Sequence, residues 1–216
     1  MANATSTQLQ ELYVAYFGRA ADPTGIDYWK EKGITTAAFA ADMYAAPEFK
    51  SVYGSLTTEA QVNQIYKNLF DRAADVTGLT YWTKEINLGN LQLAEIAVHL
   101  IWAAQNNAGG SDDKTALANR TDAAVAYTAE VRLTTDGILA YTPLNDGKGT
   151  ADFAAGDNIT AAKTYLAGID KDTAYTAAGV TASVNTIIAN GVPADTSTTN
   201  IALTTSTDFK TLTSSK

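Results

Sequence analysis

Arginine, aspartate and an aromatic pair occur twice at one spacing: Arg19, Asp22, Tyr28 and Trp29, then Arg72, Asp75, Tyr81 and Trp82. A guanidinium presents a rigid fork of donors that suits oxyanions. A carboxylate accepts from hydroxyls, and an aromatic face offers an apolar platform to a sugar ring. Arg19, Asp22, Tyr28, Arg72, Asp75 and Tyr81 are therefore the candidate ligand-binding residues, for an anionic or sugar ligand. The same residues also carry a structural reading. Each arginine can tie down a corner by bonding helix-end carbonyls or the nearby aspartate, and aromatics at helical spacing commonly belong to a core. Catalytic chemistry has no comparable grouping. His99 is the single histidine, cysteine is absent, and the chain contains no GxSxG, HExxH, P-loop or GxGxxG motif. The expectation is that the protein is not an enzyme and that His99 is structural.

The elements that must position these residues form a duplication. Leu12 to Trp29 reads LYVAYFGRAADPTGIDYW and Ile65 to Trp82 reads IYKNLFDRAADVTGLTYW, 10 identities in 18 at a constant offset of 53. Leu12, Tyr13, Tyr16 and Phe17 lie at helical spacing, as do Ile65, Tyr66, Leu69 and Phe70, so each helix should have one apolar face. Gly18 and the Asp71-Arg72 pair stand where the stripes stop. Asp22 and Asp75 are placed to cap a following helix, with Pro23 in the first helical position after Asp22. Each unit reads as helix, tight RAAD corner, helix.

The pattern LYxAYFGRAADPxGxxYW, with its second FxRAADxxGxxYW copy, resembles a small helical domain of unassigned function found in bacterial exoproteins. Those exoproteins carry repeats-in-toxin calcium-binding arrays and include cyanobacterial surface-layer and haemolysin-like proteins. The resemblance covers roughly residues 8 to 105, and copy two departs from it with Asp71 for Gly and Val76 for Pro. It implies a secreted, cell-surface protein exported by type I secretion, with calcium bound in the full-length protein rather than in this fragment. NIALTTSTDFKTLTSS, near the end, resembles the lead-in to such arrays.

Composition narrows the function further. Fifteen Lys and Arg against 23 Asp and Glu give a net charge of −8, which argues against a non-specific hold on nucleic acid or anionic lipid. No apolar run approaches 18 residues and the N-terminus has no signal-like h-region, so a soluble chain without membrane insertion is expected. Residues 144–157, LNDGKGTADFAAGD, form an acidic Gly-rich stretch without the spacing of a calcium-binding loop, so the metal ligands are unknown.

The expected fold is all-α: a helical bundle built on two repeated helix-corner-helix units, with a short β-like or disordered C-terminal tail. Residues 1–105 form the duplicated domain, 106–192 a second helical region packed on it, and 193–216 a Thr/Ser-rich tail. A third helix after Gly33 is expected to end where Pro47-Glu48-Phe49 turns the chain, with Leu91 to Ala104 as its counterpart. Later helices are expected at Ile159 to Ile169 and Thr173 to Ala189. The expected function is an N-terminal anchoring and assembly domain of a surface-layer protein, with cell-envelope polysaccharide as partner and self-association in a lattice. The alternative is a purely structural spacer or capping domain of a large calcium-binding exoprotein or adhesin, with no ligand of its own.

Overall fold

The computed structural model describes residues 2–106, 111–141 and 157–191. Its architecture is all-α: eleven α-helices and one 3₁₀ turn, with no strand among the described residues. The acidic stretch 144–157 falls outside them apart from Asp157, and the tail 193–216 falls outside them entirely.

Copy one supplies α1 (Ser6–Phe17), α2 (Pro23–Lys32), α3 (Thr36–Ala45) and α4 (Pro47–Tyr53). α1 opens with a capping box, Thr5 accepting from the Gln8 amide while the Gln8 side chain accepts from the Thr5 amide. It closes at Gly18, whose φ of 66° is the left-handed conformation that glycine adopts without penalty. α2 starts on Asp22 and Pro23 as the sequence predicts and ends at Gly33. One expectation is corrected: Pro47-Glu48-Phe49 does not simply turn the chain but opens α4. Proline at the first helical position needs no amide partner there, and Phe49 enters the core.

Copy two repeats the order with α5 (Thr58–Phe70) and α6 (Val76–Asn87), then a 3₁₀ turn (Leu93–Glu95) that leads into α7 (Ile96–Asn106). α5 closes at Asp71, the one non-glycine residue with positive φ among the described residues, at 55°. The long α8 (Ser111–Val131) follows, then α9 (Thr135–Ala140), α10 (Asp157–Ala167) and α11 (Ala177–Asn190). α9 was not foreseen from the sequence. Thr134 caps it and Thr176 caps α11, each accepting from the amide of a glycine three residues on.

A second difference concerns α1. Its pattern predicts one apolar face, yet every residue from Leu9 to Phe17 is buried, Gln10 and Glu11 included. α3, α5 and α7 pack around it and α8 covers a further side, so α1 is the axis of the bundle. One core joins both copies through Leu12, Tyr16, Phe39, Phe49, Ile65, Leu69, Ile96 and Leu100. A second core joins Val14 and Ala20 of copy one to Tyr127, Val131, Tyr141, Leu166 and Val184.

Candidate functional site

The two RAAD corners are built alike, atom for atom. The Arg19 Nη1 donates to the Ala20 carbonyl at 2.9 Å, and the Arg72 Nη1 donates to the Ala73 carbonyl at 2.9 Å. Asp22 accepts from the Gly25 amide at 2.6 Å and Asp75 from the Gly78 amide at 2.8 Å, so both aspartates are helix caps. Tyr28 meets Trp29 edge to face at 4.9 Å, and Tyr81 meets Trp82 with the same 4.9 Å separation. In both units the tryptophan packs on the core while the tyrosine stands out, 57% exposed at Tyr28 and 54% at Tyr81.

An equivalence that the motif did not reveal lies two residues before it. The Gln10 side chain accepts from the Ala21 amide at 3.0 Å and Asn63 accepts from the Ala74 amide at 2.9 Å, so a side-chain amide on the first helix pins the second alanine of each corner. The offset of 53 connects both pairs, but Gln10 and Asn63 differ in type, and identity alone hides them.

The arginine partners were also missed. Arg19 grips Glu48 fork to fork, Nε to Oε1 at 2.8 Å and Nη2 to Oε2 at 2.6 Å. Arg72 grips Asp113 at 2.6 and 2.7 Å. Glu48 lies in the first turn of α4 and Asp113 in the first turn of α8, where a helix favours negative charge. The repeat therefore extends to a fourth helix in each copy. The offset of 53 from Glu48 falls on Ile101, because the stretch before the fourth helix is longer in copy two.

The corners differ in exposure. Arg19 is 2% exposed, and its guanidinium carbon lies 5.5 to 5.7 Å from the ring centres of Tyr13, Phe17 and Tyr141. Burial works against its charge, but Glu48, together with Tyr141 and Asp22, outweighs that and holds its pKa well above the ordinary arginine value. Arg72 sits at the surface, where the Asp113 hydrogen bonds raise its pKa. The Gly78 amide lowers the Asp75 pKa. The structure thus brings Arg19 within 4.0 Å of Asp22 and Arg72 within 3.8 Å of Asp75, with the guanidinium of the first enclosed by protein, while Tyr28 and Tyr81 stand exposed on α2 and α6 against Trp29 and Trp82.

Between α1 and α7 runs a cleft of about 230 Å³ that combines polar and apolar groups. Trp102 is 65% exposed at its edge, and Glu11, Gln8 and Gln105 share the lining with Leu12 and Ile101. Glu11 is 5% exposed; burial pushes its pKa up to about 7, against the opposing hydrogen bond from Gln105 at 2.9 Å. Sequence reasoning passed over this cleft because Glu11 precedes the repeat motif and Trp102 follows a stripe read as core. His99 is exposed, with its ring 6.2 Å from that of Trp82.

Residues 40–109 match the domain of unknown function DUF4214. The matched segment begins in α3 and takes in the second corner and α7, including Trp102. No curated protein and no solved structure matches the chain. No group of three or more His, Cys, Asp or Glu among the described residues could hold a metal ion. No helix among them is long and apolar enough to cross a membrane.

Proposed function

We propose that this chain is a non-catalytic binding module that anchors a secreted surface-layer-type protein to cell-envelope polysaccharide, with self-association in a lattice as its assembled state. The carrying observation is the α1–α7 cleft, where the exposed Trp102 indole stands beside the Glu11 carboxylate and the Gln8 and Gln105 amides. An apolar ring face bordered by planar polar groups is how a protein holds a sugar, which has an apolar face and a rim of hydroxyls. The motif's resemblance to exoprotein domains supports the surface location. The corners contribute less to this reading, since Arg19 is consumed by Glu48 and neither Tyr28 nor Tyr81 lines the cleft.

The spacer reading draws support from the same pair and its counterpart, because a two-point fork to a carboxylate explains the repeated arginine through the fold alone. Re-attachment of the purified protein to envelope-stripped cells separates the two. The anchor reading expects saturable binding, competed by purified envelope polysaccharide and reduced about tenfold or more by Trp102→Ala. Absence of binding by the intact chain overturns it, and unchanged binding by a folded Trp102→Ala protein removes the cleft from it.

A further inference from the structure

A second cleft, of about 240 Å³, opens where α1 ends at Gly18, lined from α5 by Lys67, Asn68 and Gln64 and further by Arg120 and Lys163. Its charge opposes that of the whole molecule. Three cations, Lys67, Arg120 and Lys163, face one carboxylate, Asp71, leaving an excess of two positive charges in a protein of net charge −8. Asp71 is already engaged by Arg120 at 3.2 Å. Arg120 is 3% exposed and fixed by the Asn68 carbonyl at 2.8 Å and the Ile169 carbonyl, so its position is set by the fold. Among the described residues neither Lys67 nor Lys163 has a salt-bridge partner. Lys163 on α10 is half-buried, and the loss of water lowers its pKa. Of the charges that act on it, Glu48 raises its pKa and Arg19 lowers it, and the two are paired with each other.

A half-buried ammonium without a counterion is unfavourable unless something anionic completes it. We infer that this cleft is a binding site for a phosphate group, held by Lys67 and Lys163 against the fixed guanidinium of Arg120. A phosphate monoester carries a charge of about −1.5 to −2 near neutral pH, which matches the local excess. The inference concerns a site different from the Trp102 cleft and does not depend on the glycan reading.

The test is a two-dimensional NMR titration of the full chain with sodium phosphate at constant ionic strength. Saturable shifts at the Gly18 and Asn68 amides are expected. Lys163→Gln should weaken binding about tenfold or more, Lys67→Gln should weaken it less, and Lys163→Arg should retain most of it. Lys84→Gln, outside the cleft, should leave it unchanged. Lys163→Gln removes a half-buried charge that has no salt-bridge partner among the described residues, so its melting temperature should equal or exceed that of the parent, which separates lost binding from lost fold. Mannose 6-phosphate binding at the same amides points to a phosphorylated glycan as the natural ligand, and binding of inorganic phosphate alone points to the free ion; either supports the site. Shifts that grow linearly without saturation, or an unchanged affinity in Lys163→Gln, overturn it.

Discussion

Arg19 and Glu48 form a fully buried two-point ion pair, 29 residues apart, while their counterparts Arg72 and Asp113 form the same fork at the surface, 41 residues apart. The duplication thus holds one chemical device in two dielectric settings. Removing one partner of a buried pair strands a charge and costs about 3–5 kcal/mol, whereas a fully exposed pair is worth about 0.2–1 kcal/mol, and the half-buried Arg72–Asp113 pair lies nearer that lower figure. Glu48→Gln should therefore destabilise far more than Asp113→Asn in urea denaturation. Equal losses at the two corners would contradict the assignment.

The caps should behave more evenly. Asp22→Ala and Asp75→Ala each remove the acceptor for a helix-start amide, and each should cost about 1 kcal/mol. Both bonds are short, at 2.6 and 2.8 Å. Unchanged melting temperatures in both variants would refute the role.

The glycine of each TG pair is required by crowding. A methyl group at Gly25 would lie 2.7 Å from both the Tyr13 hydroxyl and the Asp22 carboxylate; at Gly78 it would lie 2.9 Å from the Tyr66 hydroxyl but 3.4 Å from Asp75. Gly25→Ala should cost about 1–3 kcal/mol and Gly78→Ala less. Adding Tyr66→Phe should recover part of the loss in Gly78→Ala. Tyr13→Phe should recover little at Gly25, since the capping carboxylate still collides. Thermal melts of the four proteins decide it.

Glu11 gives the fold a pH dependence of definite sign. Burial raises its pKa from 4.5 to about 7, so between those values the folded chain binds more protons than the unfolded chain. Its contribution is fully present below about pH 4.5, falls as pH rises, and is lost above about pH 7, a span worth about 3 kcal/mol. The lowered carboxylates Asp27, Asp75 and Asp170 act in the opposite sense, at and below their ordinary 3.8, outside this window. Glu11→Gln should flatten the stability curve between pH 5 and about 7.5 and stabilise the protein above pH 7. Parallel melting curves for the two proteins across that range would exclude the effect.

Residue order alone displayed the RAAD corners, their aspartate caps and the helix stop at Gly18, because these depend on contacts within four residues. It did not display Glu48 or Asp113 as counterions. Those contacts cross 29 and 41 residues, and unequal spacing destroys the offset that would have paired them. Nor did it show that α1 is enclosed on all sides, since Gln10 and Glu11 look solvent-facing in a helical pattern. Gln10 is buried because its side chain donates to Thr128 at 2.6 Å on α8, and Thr128 in turn donates to the Ala21 carbonyl at 2.7 Å, a triangle closed only by the tertiary fold. The Trp102 cleft escaped for the same reason: its lining comes from α1, α7 and Thr36 of α3, far apart in sequence.

Asn68 has a further consequence. Its side chain donates to the Ala15 carbonyl near the end of α1 at 2.8 Å, and its own carbonyl, at the equivalent place in α5, accepts from Arg120 of α8 at 2.8 Å. Each helix end is finished by the next helix along, like links in a chain whose last member is α8. Copy one therefore does not finish its own first helix, since the Ala15 carbonyl takes its side-chain donor from copy two, whereas copy two finishes its first helix from within, through Arg120 of its own fourth helix.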